Sequence, residues 1–431
     1  MTRIIPTPIH WPKILLERAE AKDPTDLDAA VGSGAFDGLR AAIRDLGATG
    51  TIATIAASGL RGRGGAGFPA GDKWRAAASV ESAERYVVAN GYGADPASHT
   101  DRTLLELDPY AVIEGAAIAA YAIGATRAFI AVRAEDTAII AGLGAAIGAA
   151  TDAGFLGPDV LASGHDIEMD VRPVQGAYLL GEETVLLKAL EGRRGQPEQR
   201  PPHPTERGLF GQPTVVHNVQ TLATVPWILR HGSDAFRATG SHDSPGTVLV
   251  QVRATGGEGV AEVPFGTPLR EIVKLGGKLP PGRSIGAVLV GGPSGGLLPP
   301  DVLDTPYTFD ALREAGAHLG SGSVMVLDDT VDLVELVGVL TRFCSSEACG
   351  KSIPCRIGTK RLAEIVARRE SGLARPTDTQ LADDLCHDIV ASALCDHERL
   401  ATLPLTSGMR YFGSRFDPAG QSHATATEAP R

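Results

Sequence analysis

Residues 113–134 read IEGAAIAAYAIGATRAFIAVRA, an Ala-rich apolar run followed directly by a strand-like one. Upstream, RYVVANG at Arg85–Gly91 reads as another strand. A strand, a helix and a strand in that order form a βαβ unit, and the alternation runs on to about residue 235. This predicts a layered α/β domain. On its N-terminal side, Leu39, Ile43 and Leu46 recur at spacings of four and three within FDGLRAAIRDLGATG, one face of an amphipathic helix ending at Gly47. On its C-terminal side, residues 246–327 change to short β-rich runs, TVLVQVRA, GVAEVPFG and AVLVGGPSGG, around one short helix, TPLREIVKLGG. They predict a small α+β domain. From 329 to about 403, Leu333, Val334, Val337 and Leu340, then Leu362 and Ile365, then Leu385, Ile389 and Leu394, follow helical spacing and predict a closing bundle. The expected domains are thus 1–240, 246–327 and 329–405, with a polar tail at 406–431 that frays after Arg415.

The 431 residues carry 40 Lys plus Arg against 51 Asp plus Glu, a formal charge of −11, without blocks of like charge. That argues against a nucleic-acid surface. The apolar tract 111–125 contains Glu114 and is too short to span a bilayer, and MTRIIPTPIHWPK has no apolar export core. A cytoplasmic protein with no membrane span is expected. All five cysteines fall between Cys344 and Cys395, an odd number in one cluster, which suits a metal or iron–sulfur site better than disulfides.

Three motifs carry chemistry. GLRGRGGAGFPAGDKW at Gly59–Trp74 packs six glycines with Arg61, Arg63 and Lys73, a loop whose backbone N–H groups can approach an anion closely. It fits neither a Walker A loop nor a G-x-G-x-x-G turn, and suits a phosphate or a dinucleotide. GAYLLGEETVLLKALEG at Gly176–Gly192 sets Glu182 and Glu183 at a helix start, as dipole-favoured acids or as carboxylates facing a flavin or nicotinamide. CSSEACGKSIPCRIG at Cys344–Gly358, with Cys386 and Cys395 downstream, suits an iron–sulfur cluster, with zinc or buried free thiols as the alternatives.

With DPASHTDR, LELDPYAVIEGAAIAA, GLFGQPTVVHNVQTL, LGSGSVMVLDD and EACGKSIPCRIGT, these motifs stand in the order found in one family. From about residue 35 to 400 the chain resembles the FMN- and NADH-binding subunit of respiratory complex I and the diaphorase subunits of NAD-dependent formate dehydrogenases and hydrogenases. The resemblance implies a Rossmann-like FMN domain, a ubiquitin-like β-grasp (SLBB) domain and a C-terminal helical bundle holding a 4Fe-4S cluster. It implies an FMN cradle of Gly62, Arg63, Gly64, Gly65, Gly67, Lys73, Asn90, Gly181, Glu182, Glu183, Asn218 and Thr221. Phe68 would stack on the adenine of NADH, Glu183 and Asp95 would face the reacting rings, and Cys349, Cys355 and Cys395 would ligate the cluster. Other iron–sulfur subunits are the implied partners.

Two departures from that pattern stand out. Where the family has acidic residues after Asn90, this chain has Tyr92 and Gly93, with only Asp95 retained. Ala76 and His203 replace two aromatic rings, and Arg200 replaces a lysine. Losing two stacking partners is expected to weaken NADH by about one to two decades. A relay that exchanges electrons with ferredoxin or another donor is the alternative reading. At the cluster, Ser352 stands where the family has its middle cysteine. The open outcomes are ligation by Ser352, by Cys386 or by Cys344, or a cluster of three irons or none, with Cys386 otherwise an inert core thiol. His99, His165, His217 and His387 are expected to be structural or surface residues.

Overall fold

The computed structural model describes residues 3–416. Strands β1 (Tyr86–Asn90), β2 (Arg127–Arg133), β3 (Glu168–Val174) and β4 (Thr214–Asn218) form a parallel sheet in the order β3-β2-β1-β4. Residues 113–134 supply its centre. Helix α2 (Pro109–Ile123) is buried along nearly its whole length, because its Ala and Gly positions let neighbouring backbones come close, and it delivers the chain to β2. At Gly115 an added Cβ would lie 2.0 Å from the Leu222 carbonyl oxygen. Ahead of α2 runs α1 (Ala70–Ser79); after β2 comes α3 (Thr137–Asp152), and α4 (Glu183–Leu190) and α5 (Val219–His231) follow β3 and β4. The helix expected to end at Gly47 does break there, where φ is +66°, but a second helix, Gly47–Ser58, starts at the same residue.

Strands β5 (Thr247–Ala254), β6 (Gly257–Pro264), β7 (Ile285–Val290), β8 (Gly296–Leu298) and β9 (Ser323–Asp328) build the second sheet in the order β8-β7-β9-β5-β6. A hairpin of β5 and β6, with β9 inserted parallel to β5 and α6 (Leu269–Leu275) packed across, is the β-grasp arrangement. Residues 4–16, grouped by sequence with the first domain, reach onto this sheet: Ile4 bridges Val260, and the buried Glu262 carboxylate accepts the N–H groups of Ile14, Leu15 and Leu16 at 2.7, 2.8 and 2.9 Å.

Helices α7 (Leu333–Ser346), α8 (Ile353–Glu370), α9 (Asp378–Ala391), α10 (Asp396–Leu400) and α11 (Leu403–Phe416) form the bundle around Val337, Leu340, Leu362, Ile365 and Ile389. Two sequence expectations shift. Leu394 lies in the turn between α9 and α10, and α11 runs on to Phe416, past residue 406 where a tail was expected to begin. The rest of that tail lies outside the described residues. Among the described residues no helix is long and apolar enough to cross a membrane.

Candidate active site

In a doubly wound sheet, ligands bind at the carboxyl ends of strands where the strand order reverses. Here that point lies between β1 and β4, which flank each other in register with Asn90 opposite Asn218. Both asparagines end their strands, and Asn218 also caps α5 by accepting from the Gln220 N–H at 2.9 Å. The glycine-rich loop runs across this edge into α1. Lys73, on α1, donates to the Val216 carbonyl of β4 at 3.1 Å and to Glu183 of α4 at 2.8 Å. Three helix N-termini, those of α1, α4 and α5, are thereby drawn to one edge of the sheet, a setting that favours an anionic ligand.

The side chains around this edge are braced by protein partners. Asn90 donates to the Gly181 carbonyl at 3.2 Å, and Asn218 donates to Asp101 at 2.7 Å. Asp101 also accepts from Gln220; burial raises it to about 6 against those two hydrogen bonds. Burial pushes the Glu183 carboxyl up, but Lys73 and then Arg200 outweigh it and hold the group below its ordinary range. Glu182 caps α4, pairs with Arg200, and is raised by burial.

Several expected site residues have other duties. The Arg63 guanidinium is buried, donates to the Pro245 and Thr247 carbonyls and stacks over Phe265, so it ties the loop to β5 and is not available to a phosphate. Burial and neighbouring Arg61 pull its pKa down. Thr221 accepts the Arg63 N–H at 2.8 Å and fixes the loop from behind. Gly65 and Gly67 have φ of +103° and +66°; an added Cβ would lie 3.1 Å from the Gly320 oxygen and 2.7 Å from the Phe309 ring. Their glycines answer to the β-grasp domain. Gly62 and Gly64 have no such crowding, with nearest neighbours at 3.6 and 3.4 Å.

Asp95 sits on the seam between the domains, accepting from the Ser321 hydroxyl and the Ala97 N–H, both at 2.7 Å. Tyr92 turns into the core, donating to the Gly176 carbonyl at 2.6 Å beneath the Arg133 guanidinium. Phe68 is 53% exposed, and Ala76 and His203 are exposed on α1 and on the adjacent Pro204–Arg207 turn. His217 is structural: its Nε2 accepts the Trp74 indole N–H at 2.9 Å.

The cysteines lie against the apolar side of the segment that leads into and forms α4. Cys349 precedes α8, Ser352 is its N-cap, Cys355 lies in its first turn, and Cys395 is the N-cap of α10. Burial pushes Cys355 to about 12, with the Glu398 charge and the neighbouring thiols acting in the same direction, and pushes Cys395 to about 11 against a hydrogen bond from the Glu398 N–H, with the charges of Glu182 and Glu398 helping to raise it. Cys386 is packed in the bundle core and Cys344 directs its thiol at the Pro293 carbonyl, 3.7 Å away. Cys349 and Cys395 pack against the apolar cluster of α4, and the Glu347 carboxylate accepts the Tyr178 N–H at 2.8 Å.

The Nuo51 FMN-binding domain matches residues 55–227, and the NADH-ubiquinone oxidoreductase-F iron-sulfur binding region matches residues 335–419. The second NADH-quinone oxidoreductase F subunit of Rhizobium meliloti is 37% identical over 409 residues, covering 94% of this chain and 96% of the relative. The chain belongs to the family of NADH-quinone oxidoreductase F subunits. Similarity extends to hydrogenases: NADP-reducing hydrogenase subunit HndC of Solidesulfovibrio fructosivorans is 38% identical over 92% of this chain and 81% of its own. The solved NAD+-reducing [NiFe]-hydrogenase in its H2-reduced state superposes with a TM-score of 0.84 at 31% identity, over 98% of this chain and 68% of that one. This member of the family is thus an FMN-dependent oxidoreductase subunit with an iron–sulfur region.

Both groups suit the residues present. The flavin side offers uncrowded glycines at Gly62 and Gly64, a braced lysine and three helix N-termini at the switch point. The cysteine side offers three soft thiols, Cys349, Cys355 and Cys395, at or beside the starts of α8 and α10, which suit an iron–sulfur cluster. A groove of about 600 Å³ lined by Gln175, Leu179, Glu347 and Cys349 opens this end to the surface. Sequence reasoning missed Asp101, which stands inside the quoted DPASHTDR, and Glu398. The signal for Glu398 is its spacing: three residues after Cys395, as Cys355 is three after Ser352.

Proposed function

We propose that the protein takes electrons from NADH at the β1/β4 edge and passes them through α4 to the cysteine end and on to partner iron–sulfur subunits. The observation that carries this reading is that one segment, Tyr178–Leu190, serves both sites: Glu183 pairs with Lys73 of the glycine-rich motif and shares Arg200 with Glu182, while the segment's apolar side chains cluster with Cys349 and Cys395. Bound FMN supplies the exchange between two-electron and one-electron chemistry. Gly62, Gly64, Lys73, Asn90 and Asn218 would hold it. The Lys73–Glu183 pair fixes a carboxylate beside the site, and Glu183 stays ionised because two cations face it. Phe68 presents an exposed ring for a base at the distal end.

A second reading, electron exchange with ferredoxin, is favoured by the exposed small or polar side chains Ala76 and His203 beside Phe68 and by the inward turn of Tyr92. The test is anaerobic addition of NADH to the protein expressed with its partners, with FMN and iron quantified. Bleaching of flavin absorbance at high NADH concentration is expected. Silence toward NADH with bleaching by reduced ferredoxin selects the second reading, and a protein that releases no FMN on heat denaturation defeats both.

A further inference from the structure

The four positions of the cysteine motif hold three thiols and one hydroxyl, and the hydroxyl is already engaged. Ser352 Oγ donates to Glu398 Oε1 at 2.6 Å, joining the first turn of α8 to that of α10. Glu398 is 1% exposed, and its other oxygen accepts the Leu394 N–H at 2.8 Å. Among the described residues no Lys, Arg or His forms an ion pair with it. A buried carboxylate without a cation is costly, and coordination to a metal is one of the few ways to offset that cost. Two hydrogen bonds leave lone pairs on both carboxylate oxygens. Ser352 and Cys355 share the first turn of α8, and Glu398 follows Cys395 by three residues at the start of α10, so the Ser352–Glu398 hydrogen bond joins the two turns that carry these thiols. Of the remaining thiols, Cys386 is packed in the bundle core and the buried Cys344 directs its Sγ at the Pro293 carbonyl.

We propose that Glu398 is the fourth ligand of the iron–sulfur cluster, an oxygen donor in the place of the absent thiolate, and that Ser352 is a positioning residue that aims it. A carboxylate oxygen is a common ligand of iron, whereas the Ser352 hydroxyl already spends its proton on Glu398. Hydrogen bonds from outside the ligand shell orient such donors, and removing one weakens metal binding about 10–100-fold. The inference rests on the reading of this chain as cluster-bearing.

The test is anaerobic reconstitution of the full chain with isotopically enriched ferrous iron and sulfide, followed by iron counting and Mössbauer spectroscopy. The wild type is expected to hold about four irons, one with the higher isomer shift of an oxygen-ligated site. Glu398→Gln keeps the size and most hydrogen bonding of the side chain and should drop to about three irons with that subsite gone. Ser352→Ala should retain the subsite but release its iron to a chelator about 10–100-fold more readily. Ser352→Cys should give four sulfur-ligated irons, and adding Glu398→Gln to it should then change nothing, which excludes misfolding as the cause of the single variant's loss. A wild-type cluster of three irons, or of four equivalent ones, overturns the assignment, as does a Glu398→Gln variant that keeps the subsite or a Ser352→Ala variant that loses it entirely. A chain that takes up no iron defeats the cluster reading itself.

Discussion

The flavin edge and the cysteine end are organised in opposite ways. At the flavin edge, Lys73, Asn90, Asn218 and Glu183 already have protein partners, so the pocket is held in shape by the fold. At the cysteine end, burial pushes Cys355 and Cys395 up, and among the described residues the buried Glu398 forms no ion pair. One region is organised before its cofactor arrives, and the other is completed by it. A redox chain can therefore lose its cluster and keep its flavin, while the reverse loss should leave the bundle untouched.

The largest test of that contrast is Cys395→Ala, which should abolish iron loading while FMN content per chain, read by fluorescence after denaturation, stays within about twofold. Loss of both cofactors together would break the contrast. Gly64→Ala comes next. Its Cβ would meet only the Asn218 Cβ at 3.4 Å, so the fold should tolerate it, but a methyl group between loop and cofactor should weaken FMN by about tenfold or more at unchanged thermal stability. Undiminished FMN binding would place the cofactor away from the loop.

A third test sharpens the comparison within the flavin edge, between its braced inner end and its bare outer end. Ala76→Phe with His203→Phe should lower the NADH concentration needed for half-reduction by about one to two decades, measured by anaerobic titration. The smallest effect concerns Asp101. Its folded-state pKa of about 6 lies above the unfolded value, so the stability it contributes is present below pH 4 and is lost as pH rises through 6. Asp101→Asn should flatten that slope, a difference of a few degrees in the unfolding midpoint of the first domain across the window. A slope identical in wild type and variant would assign it to other carboxylates.

The layered first domain was legible in residues 113–134 because an Ala-rich apolar run too long for a strand passes directly into a short apolar run of strand length. The β-grasp order required knowing which strand pairs with which, information carried by contacts such as Ser323 with Gln251. The site was legible as a set of residue types and less so as orientations. Arg63 reads as a phosphate ligand because sequence reports charge, whereas its guanidinium is spent on the Pro245 and Thr247 carbonyls. Glu398 reads as an ordinary acid in a helix's first turn, because nothing local says that Ser352, 46 residues away, will meet it.

The strap formed by residues 14–16 has a consequence for synthesis. Its three N–H groups converge on Glu262, 246 to 248 residues downstream. At about 5–20 residues per second, the N-terminal segment waits roughly 12–50 s after leaving the ribosome before its acceptor exists. During that interval the first domain can complete its sheet, but residues 14–16 still lack the carboxylate that fastens them to the β-grasp domain. Residues 14–16 are thus fastened only after the second domain is under way, and a chain stalled before residue 262 would present them to chaperones and proteases.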